Sequence, residues 1–296
     1  MYDCSAAQIV TPKKILLNGL WFGPYSKTGK PKKPKRAVIW VHGLGSSVFS
    51  KLDIVEKLKD RETAVITFNN RGHDKVSGIA RVGEKKIGKT ILGGSAHEVF
   101  EDCVDDIQGA INFARKVGVK NIYLAGHSTG CQKSIYWAHR KKGRGIKGIV
   151  LLAPMSDWAA EMMLQGKKKI ARATRFARSL VNRGKKHQLL PEGVWHECID
   201  AQRFLSLHTP DGVEEIFSYA QPERNPRMLK SVRAPLLVLL AEKDEFGDRP
   251  ARRIAEWFEK NLSPSSKTLI VPRATHSFRG RAIKVASAMK NWMNSV

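Results

Sequence analysis

The stretch Asn121-Ile122-Tyr123-Leu124-Ala125-Gly126-His127-Ser128-Thr129-Gly130 decides the fold of this 296-residue chain. Its first half is a β-branched and aliphatic run typical of a buried strand, and residues 131–138 begin a helical pattern. A Gly-x-Ser-x-Gly sequence between a strand and a helix is typical of a sharp turn that exposes the serine above a sheet. Glycines are needed beside the serine because a Cβ there would collide with neighbouring backbone. The pattern predicts that Ser128 is a nucleophile with partners at fixed places along the chain.

A second glycine-rich turn follows an earlier strand. The apolar residues 36–41 run directly into His42-Gly43-Leu44-Gly45. Taken alone, this turn is equally typical of an oxyanion loop and of an ordinary strand-to-helix connection. With the serine turn downstream, it predicts an oxyanion hole made by the backbone N–H groups of Leu44 and Thr129.

Three residues inside these two turns are candidates for contact with a substrate. They are His42, Gly43 and His127. For the two histidines, bracing of the loops is a better interpretation than proton transfer.

An acid is expected after a later strand. Residues 234–241 form a continuous apolar run typical of a parallel strand that is covered on both faces. Asp244 follows it and is predicted to orient the catalytic histidine. Nearby carboxylates are rivals for this role, since acids in a loop are usually just solvated: Glu242, Glu245 and Asp248.

A histidine is expected after the last strand, residues 267–272. His276 occupies that place. A lone histidine is more often structural than catalytic, but the chain order Ser128, Asp244, His276 is the order that strand–turn–helix serine enzymes use. In this arrangement His276 would act as general base for the serine hydroxyl, and Asp244 would fix the histidine tautomer.

These elements resemble the α/β-hydrolase superfamily, from about Leu16 to the C-terminus. A closer resemblance, to the DUF1749-type branch with its esterase-like members, rests on residues 18–24, 69–74 and 97–103 and on Cys131-Gln132. The resemblance implies an α/β-hydrolase fold with a mostly parallel central sheet and helices on both faces. It implies a mechanism but names no substrate.

Strand and helix patterns alternate along most of the chain, but the alternation stops between residues 155 and 231. This stretch is far longer than an ordinary loop. It predicts a helical lid or cap inserted into a core of residues 1–154 and 232–296. Trp158 and Met162 are candidate pocket-lining residues; the alternative is that each packs the lid against the core.

Charge is the second unusual feature, with 52 basic and 27 acidic residues and a net charge of +25. Basic clusters lie at residues 30–36, 140–144 and 165–188. Such a field could steer an anionic acyl ester to the site or give weak contact with an anionic membrane surface. A solvated basic surface is the favoured alternative. The sequence contains no recognisable nucleic-acid-binding motif, so no specific nucleic-acid partner is expected.

The remaining composition predicts a cytoplasmic protein without a metal or other cofactor. The N-terminus has no secretory pattern, and four scattered cysteines match neither a zinc site nor a disulfide framework. The best-supported function is a serine hydrolase that cleaves a carboxylic ester through a Ser-His-Asp triad and an acyl-enzyme. Alternatives are a thioesterase or acyltransferase on the same scaffold, or a non-catalytic basic binding protein. The oligomeric state is not predicted.

Overall fold

The computed structural model describes residues 3–25, 31–83 and 90–296. Lys30, the first residue of one predicted basic cluster, lies outside these ranges. The strands are β1 Ser5–Val10, β2 Leu16–Phe22, β3 Arg36–Val41, β4 Thr63–Phe68, β5 Ser77–Ile79, β6 Ile91–Gly93, β7 Asn121–His127, β8 Gly148–Leu152, β9 Leu236–Ala241 and β10 Lys267–Val271. The helices are α1 Leu52–Leu58, α2 Cys103–Lys116, α3 Thr129–Lys141, α4 Asp157–Gln165, α5 Lys167–Asn182, α6 Ala201–Leu207, α7 Arg227–Lys230, α8 Ala251–Asn261 and α9 Ala282–Ser295.

One eight-stranded sheet organises the chain, in the order β1-β2-β4-β3-β7-β8-β9-β10. The six strands from β4 to β10 pair in parallel, and β1 and β2 add an antiparallel hairpin at one edge. Strands β5 and β6 form a separate antiparallel pair. This confirms the prediction of a mostly parallel sheet.

Helices cover both faces of the sheet. Successive side chains of a strand point to opposite faces, and β3 illustrates this. Ala37, Ile39 and Val41 belong to the apolar cluster that contains α2, α3 and α8. Val38 and Trp40 belong to the cluster that contains α1 and α9. Because both faces are buried, the central strands are continuous apolar runs rather than alternating ones.

Between β8 and β9 the chain forms four consecutive helices, α4 to α7. We call residues 155–231 the inserted segment. Ser156 begins α4 by accepting a hydrogen bond from the Ala159 N–H at 3.0 Å, and Asp200 begins α6 by accepting one from the Arg203 N–H at 2.8 Å. The segment has a small apolar core of its own, made by Ile170, Ala173, Ala177, Leu180, Leu190, Trp195, Ile199, Ala201 and Phe204.

Helix α5 buries an apolar stripe made by Ile170, Ala173, Ala177 and Leu180, and most of its basic residues are exposed on the opposite side. Its helical spacing explains this, because residues three and four apart lie on one face. Within the described ranges no helix combines the length and the apolar character needed to cross a bilayer.

Candidate active site

The carboxyl edge of the parallel sheet carries the predicted site residues. Ser128 follows β7, Asp244 follows β9 and His276 follows β10, and the His42–Gly45 turn follows β3. Parallel strands end at the same edge, so loops far apart in sequence meet there. Ser128, His276, Gly43 and Leu44 border one cavity of about 320 Å³.

Ser128 lies on a strained turn. Its φ of 54° and ψ of −127° are in a region that side chains rarely adopt. The N–H of Ser128 donates to the Leu152 carbonyl of β8 at 3.0 Å, which anchors the turn to the sheet. The flanking glycines leave no room for a side chain: a Cβ on Gly126 would overlap the Gly130 carbonyl, and one on Gly130 would overlap the Val41 carbonyl. The sequence thus folds into the turn that the Gly-x-Ser-x-Gly spacing predicts.

His276 lies against the carboxylate of Asp244. Its Nδ1 is 3.0 Å from Oδ1 and 2.9 Å from Oδ2 of that aspartate. A carboxylate accepts, so Nδ1 carries the proton and Nε2 is left as the basic nitrogen. The described residues include no hydrogen bond between Ser128 Oγ and His276, although both border the cavity. Such contacts are often long in unliganded sites and shorten when substrate binds.

The three rival acids have other partners. Asp248 forms an ion pair with Arg249 at 2.8 Å. Glu242 accepts the Arg273 N–H at 2.8 Å, and Glu245 accepts the backbone N–H of His276 at 2.8 Å. Glu245 therefore holds the histidine loop rather than the imidazole.

His127 braces the histidine loop from the other side. Its Nε2 donates to the His276 carbonyl at 2.9 Å. Burial, together with repulsion by His276, lowers the pKa of His127 to about 3, so this ring is neutral. The edge of the Phe246 ring packs against the His276 imidazole with centroids 4.9 Å apart. Sequence reasoning missed Phe246, since an aromatic residue in a loop gives no distinctive signal.

His42 is buried at the start of the turn after β3 and is not among the residues that border the cavity. Its Nδ1 donates to the Gly43 carbonyl at 2.8 Å, and its Nε2 accepts the Asn70 N–H at 3.3 Å. Burial lowers its pKa to about 3. Gly43 does border the cavity, and a Cβ there would lie 2.9 Å from Ser128 Cβ. The absence of a side chain at this position keeps the space beside the serine open.

The backbone N–H groups of Leu44, in the turn after β3, and of Thr129, the first residue of α3, have no hydrogen-bond partner among the described residues. The first N–H groups of a helix are always unsatisfied within it, and the helix dipole favours negative charge there. This arrangement can hold an oxygen that becomes anionic during a reaction.

Trp158 and Met162, the two candidate pocket-lining residues of the inserted segment, do not border the cavity. Trp158 packs against the large core cluster and Met162 against the small core of the inserted segment. The helix phase explains this, because it is Asp157, Ala160 and Glu161 that α4 turns toward the cavity.

Acidic residues therefore form part of the cavity wall, which the sequence analysis did not predict. Asp157 and Glu161 border the cavity together with Glu197 and His208. A usable signal existed for Asp157, since it closely follows β8, the neighbour of the serine strand. Within the described ranges, no group of three or more histidine, cysteine, aspartate or glutamate side chains is placed to hold a metal ion.

A buried ionic cluster connects the helix behind Ser128 to the inserted segment. Lys133 of α3 is fully buried, with its Nζ 2.6 Å from Glu98 Oε1 and 3.2 Å from Asn70 Oδ1. Arg203 of α6 lies 3.0 Å from Glu98 Oε2 and also pairs with Glu214. Periodicity gave no signal for this cluster, because a lysine on a helix is normally exposed.

Comparison with known proteins identifies the family. A family profile with the description "Protein of unknown function (DUF1749)" matches residues 91–295. The chain belongs to the DUF1749 family. This confirms the resemblance stated from the sequence, and the match includes Ser128, Asp244 and His276 but not the turn that contains Leu44. A search of the curated proteins finds no match.

Solved structures that resemble this DUF1749 protein are α/β-hydrolases. The siderophore hydrolase EstB from Aspergillus fumigatus has a TM-score of 0.65 and 16% identity, over 99% of this chain and 98% of that one. Est1E from Butyrivibrio proteoclasticus, solved with ferulic acid, has a TM-score of 0.61 and 19% identity, over 98% of both chains. An esterase from Pyrococcus furiosus has a TM-score of 0.61 and 17% identity, over 99% of this chain and 91% of that one. At these identities the likeness establishes the fold.

Proposed function

We propose that this DUF1749 protein is a serine hydrolase that cleaves a carboxylic ester through Ser128, His276 and Asp244. The contact of both Asp244 oxygens with His276 Nδ1, in a loop that borders the same cavity as the strained Ser128 turn, carries the proposal. Only a neutral His276 with its proton on Nδ1 can take a proton at Nε2. The esterase and hydrolase neighbours on this fold support the same reaction class.

The reaction begins when Ser128 Oγ attacks the ester carbonyl carbon and His276 Nε2 takes the hydroxyl proton. Asp244 stabilises the imidazolium that forms. The carbonyl oxygen becomes anionic and is held by the N–H groups of Leu44 and Thr129. Collapse of the tetrahedral intermediate breaks the C–O bond, and His276 gives its proton to the departing alcohol. Water then cleaves the acyl-enzyme by the same steps, which releases the acid and restores Ser128.

The proposed enzyme has a core of residues 1–154 and 232–296 and a lid of residues 155–231. The lid assignment is supported by Asp157, Glu161 and Glu197, which come from the inserted segment and border the cavity beside the serine. A substrate in that cavity would contact the core at its reacting carbonyl and the lid with the rest of the molecule.

The test is hydrolysis of p-nitrophenyl esters of graded acyl length, with labelling by a fluorophosphonate probe. We expect turnover and labelling in the native protein, and neither in Ser128→Ala. Ser277→Ala is the matched control, because Ser277 follows the histidine and is not among the residues that border the cavity. Equal turnover in Ser128→Ala and the native protein would refute the serine mechanism.

A further inference from the structure

The charge of the cavity is opposite to the charge of the protein. The chain carries a net charge of +25. Yet the residues that border the cavity include three carboxylates, Asp157, Glu161 and Glu197, and one lysine, Lys51. Long-range fields of surface charges are screened within about 8 Å at physiological salt. Groups in contact with a ligand therefore decide which charge it can carry.

These three carboxylates lack the lysine or arginine partners that several buried acids of this protein have. Glu98 lies between Lys133 and Arg203, and Asp106 pairs with Arg71 at 2.7 Å. By contrast, none of the cavity acids pairs with a lysine or arginine among the described residues.

Their remaining contacts leave acceptor atoms unused. Asp157 is only 9% exposed, and its Oδ2 accepts from Gln132 Nε2 at 2.6 Å. The buried Oε2 of Glu161 has no hydrogen-bond partner in the described part of the chain. Glu197 Oε2 accepts hydrogen bonds from Trp195 Nε1 and His208 Nε2, both at 3.2 Å.

Burial opposes the charge of two of these acids more than nearby cations favour it. Burial raises the pKa of Asp157 to about 7 against the attraction of Arg203, and burial with repulsion by Glu197 raises the pKa of Glu161 to about 7 against the attraction of Lys169. Glu197 stays ionised, because the hydrogen bond and charge of His208 outweigh burial and lower its pKa to about 2. Burial lowers the pKa of His208, so that ring does not supply a full positive charge at neutral pH.

Lys51 does not neutralise this wall. The carboxylates that act on its pKa are Asp53 and Glu245, the latter in the loop that holds His276. Its charge also acts on His127, beneath the same loop. Lys51 is therefore associated with the sheet edge, and the carboxylates with the inserted segment.

We propose that the cavity selects an ester whose non-reacting arm carries a cation, such as a primary ammonium group, which Asp157, Glu161 and Glu197 receive. The proposal rests on the ester hydrolysis proposed above and names its substrate class. An ammonium group has three N–H donors and a positive charge, and carboxylate oxygens accept such donors. The ester carbonyl would then lie at Ser128 and the charged end against the inserted segment.

The first experiment compares chains of equal length and different charge. The acyl series is p-nitrophenyl 6-aminohexanoate, heptanoate, 6-hydroxyhexanoate and adipate monoester. The alcohol series is the acetates of 6-aminohexanol and heptanol. We expect kcat/KM to be at least about tenfold higher for the ammonium ester than for its neutral match in one of the two series. No ammonium preference in either series, or a preference for the hydroxyl or the anionic ester, overturns the proposal.

The second experiment removes the charge of the wall. Glu161→Gln keeps the size of a half-buried side chain, and we expect it to reduce the ratio of kcat/KM for the ammonium ester to kcat/KM for its neutral match about tenfold. Glu192→Gln, an exposed position of the same segment, is the matched control. An unchanged preference in Glu161→Gln and in Asp157→Asn contradicts the assignment of these carboxylates.

Binding separates failure of this proposal from failure of the hydrolase proposal. Calorimetry with Ser128→Ala measures the affinity of hexylammonium, hexanol and hexanoate without turnover. We expect hexylammonium to bind at least about tenfold more tightly than the other two. If no ester is hydrolysed but hexylammonium is preferred, the hydrolase proposal fails and the cation site stands. If esters are hydrolysed and all three ligands bind alike, the cation-site proposal fails and the hydrolase proposal stands.

Discussion

The edge of the sheet and the inserted segment both border the cavity, but their polar groups differ in how completely they are hydrogen-bonded. At the sheet edge, His276 is fixed at Nδ1 by Asp244, at its N–H by Glu245 and at its carbonyl by His127. On the segment side, Glu161 has a buried carboxylate oxygen, Oε2, without a hydrogen-bond partner among the described residues. Groups that must react are best held in place before substrate arrives. Groups that must recognise a ligand keep free acceptors for it.

The largest effect is expected where the sheet edge fixes the histidine. Asp244→Asn replaces a charged acceptor by an amide that favours the wrong tautomer, and we expect kcat to fall about 10⁴-fold. Asp248→Asn should change kcat little, because Asp248 pairs with Arg249. Steady-state hydrolysis of a p-nitrophenyl ester measures both. Full activity in Asp244→Asn with loss in Asp248→Asn would reverse the assignment.

Much of this edge could be predicted from sequence because topology does most of the positioning. An apolar run predicts a strand, parallel strands end together, and Ser128, Asp244 and His276 each follow one. The flanking glycines add a steric requirement that the structure shows at Gly126 and Gly130. The role of Glu245 could not be predicted, since several carboxylates share its loop and only the folded backbone selects among them.

The inserted segment was harder to predict, because its side chains are positioned by helix phase and tertiary packing. From the sequence, Trp158 and Met162 were candidates both for lining the cavity and for packing, and in the structure both pack against apolar clusters. Burial of apolar area competes with exposure to a cavity, and burial decides their position. Asp157 and Glu161 were not among the predicted site residues, because their positions on the cavity wall depend on the phase of α4.

The second prediction tests how much the Lys133–Glu98–Arg203 cluster, which connects α3 to the inserted segment, contributes to the stability of the fold. Lys133→Met removes the cation nearest Glu98, and we expect about 3 kcal/mol less unfolding free energy in urea denaturation. We expect no larger loss of stability because Arg203 still contacts Glu98 at 3.0 Å in this variant. Lys141→Met, an exposed position of α3, is the control and should lie close to the native protein. A loss in Lys133→Met no larger than in this control would argue that the cluster contributes no stability.

The third prediction distinguishes the α4 residue that packs in the core of the inserted segment from the α4 residue that lines the cavity. Met162→Ala should lower the unfolding free energy by about 1 kcal/mol, since the side chain is partly buried in the small core of the segment. It should leave the preferred acyl length unchanged. Ala160 borders the cavity, so Ala160→Val should shorten the preferred acyl chain. A shifted acyl-length profile in Met162→Ala would place Met162 in the substrate path after all.

The smallest expected effect is the contribution of Glu161 to the pH dependence of the unfolding free energy. Its pKa is about 7 in the folded protein and lower when unfolded, because burial and Glu197 oppose its charge while Lys169 favours it only weakly. The folded state therefore binds more protons between about pH 4.5 and 7, and stability is lost as pH rises through this window. Glu161→Gln removes that loss. Its unfolding free energy relative to the exposed control Glu192→Gln should be near zero at pH 4 and about 1 kcal/mol more favourable at pH 8, after allowance for solvent screening. A constant difference across pH would mean that Glu161 is already compensated within the protein, and the wall would then resemble the sheet edge.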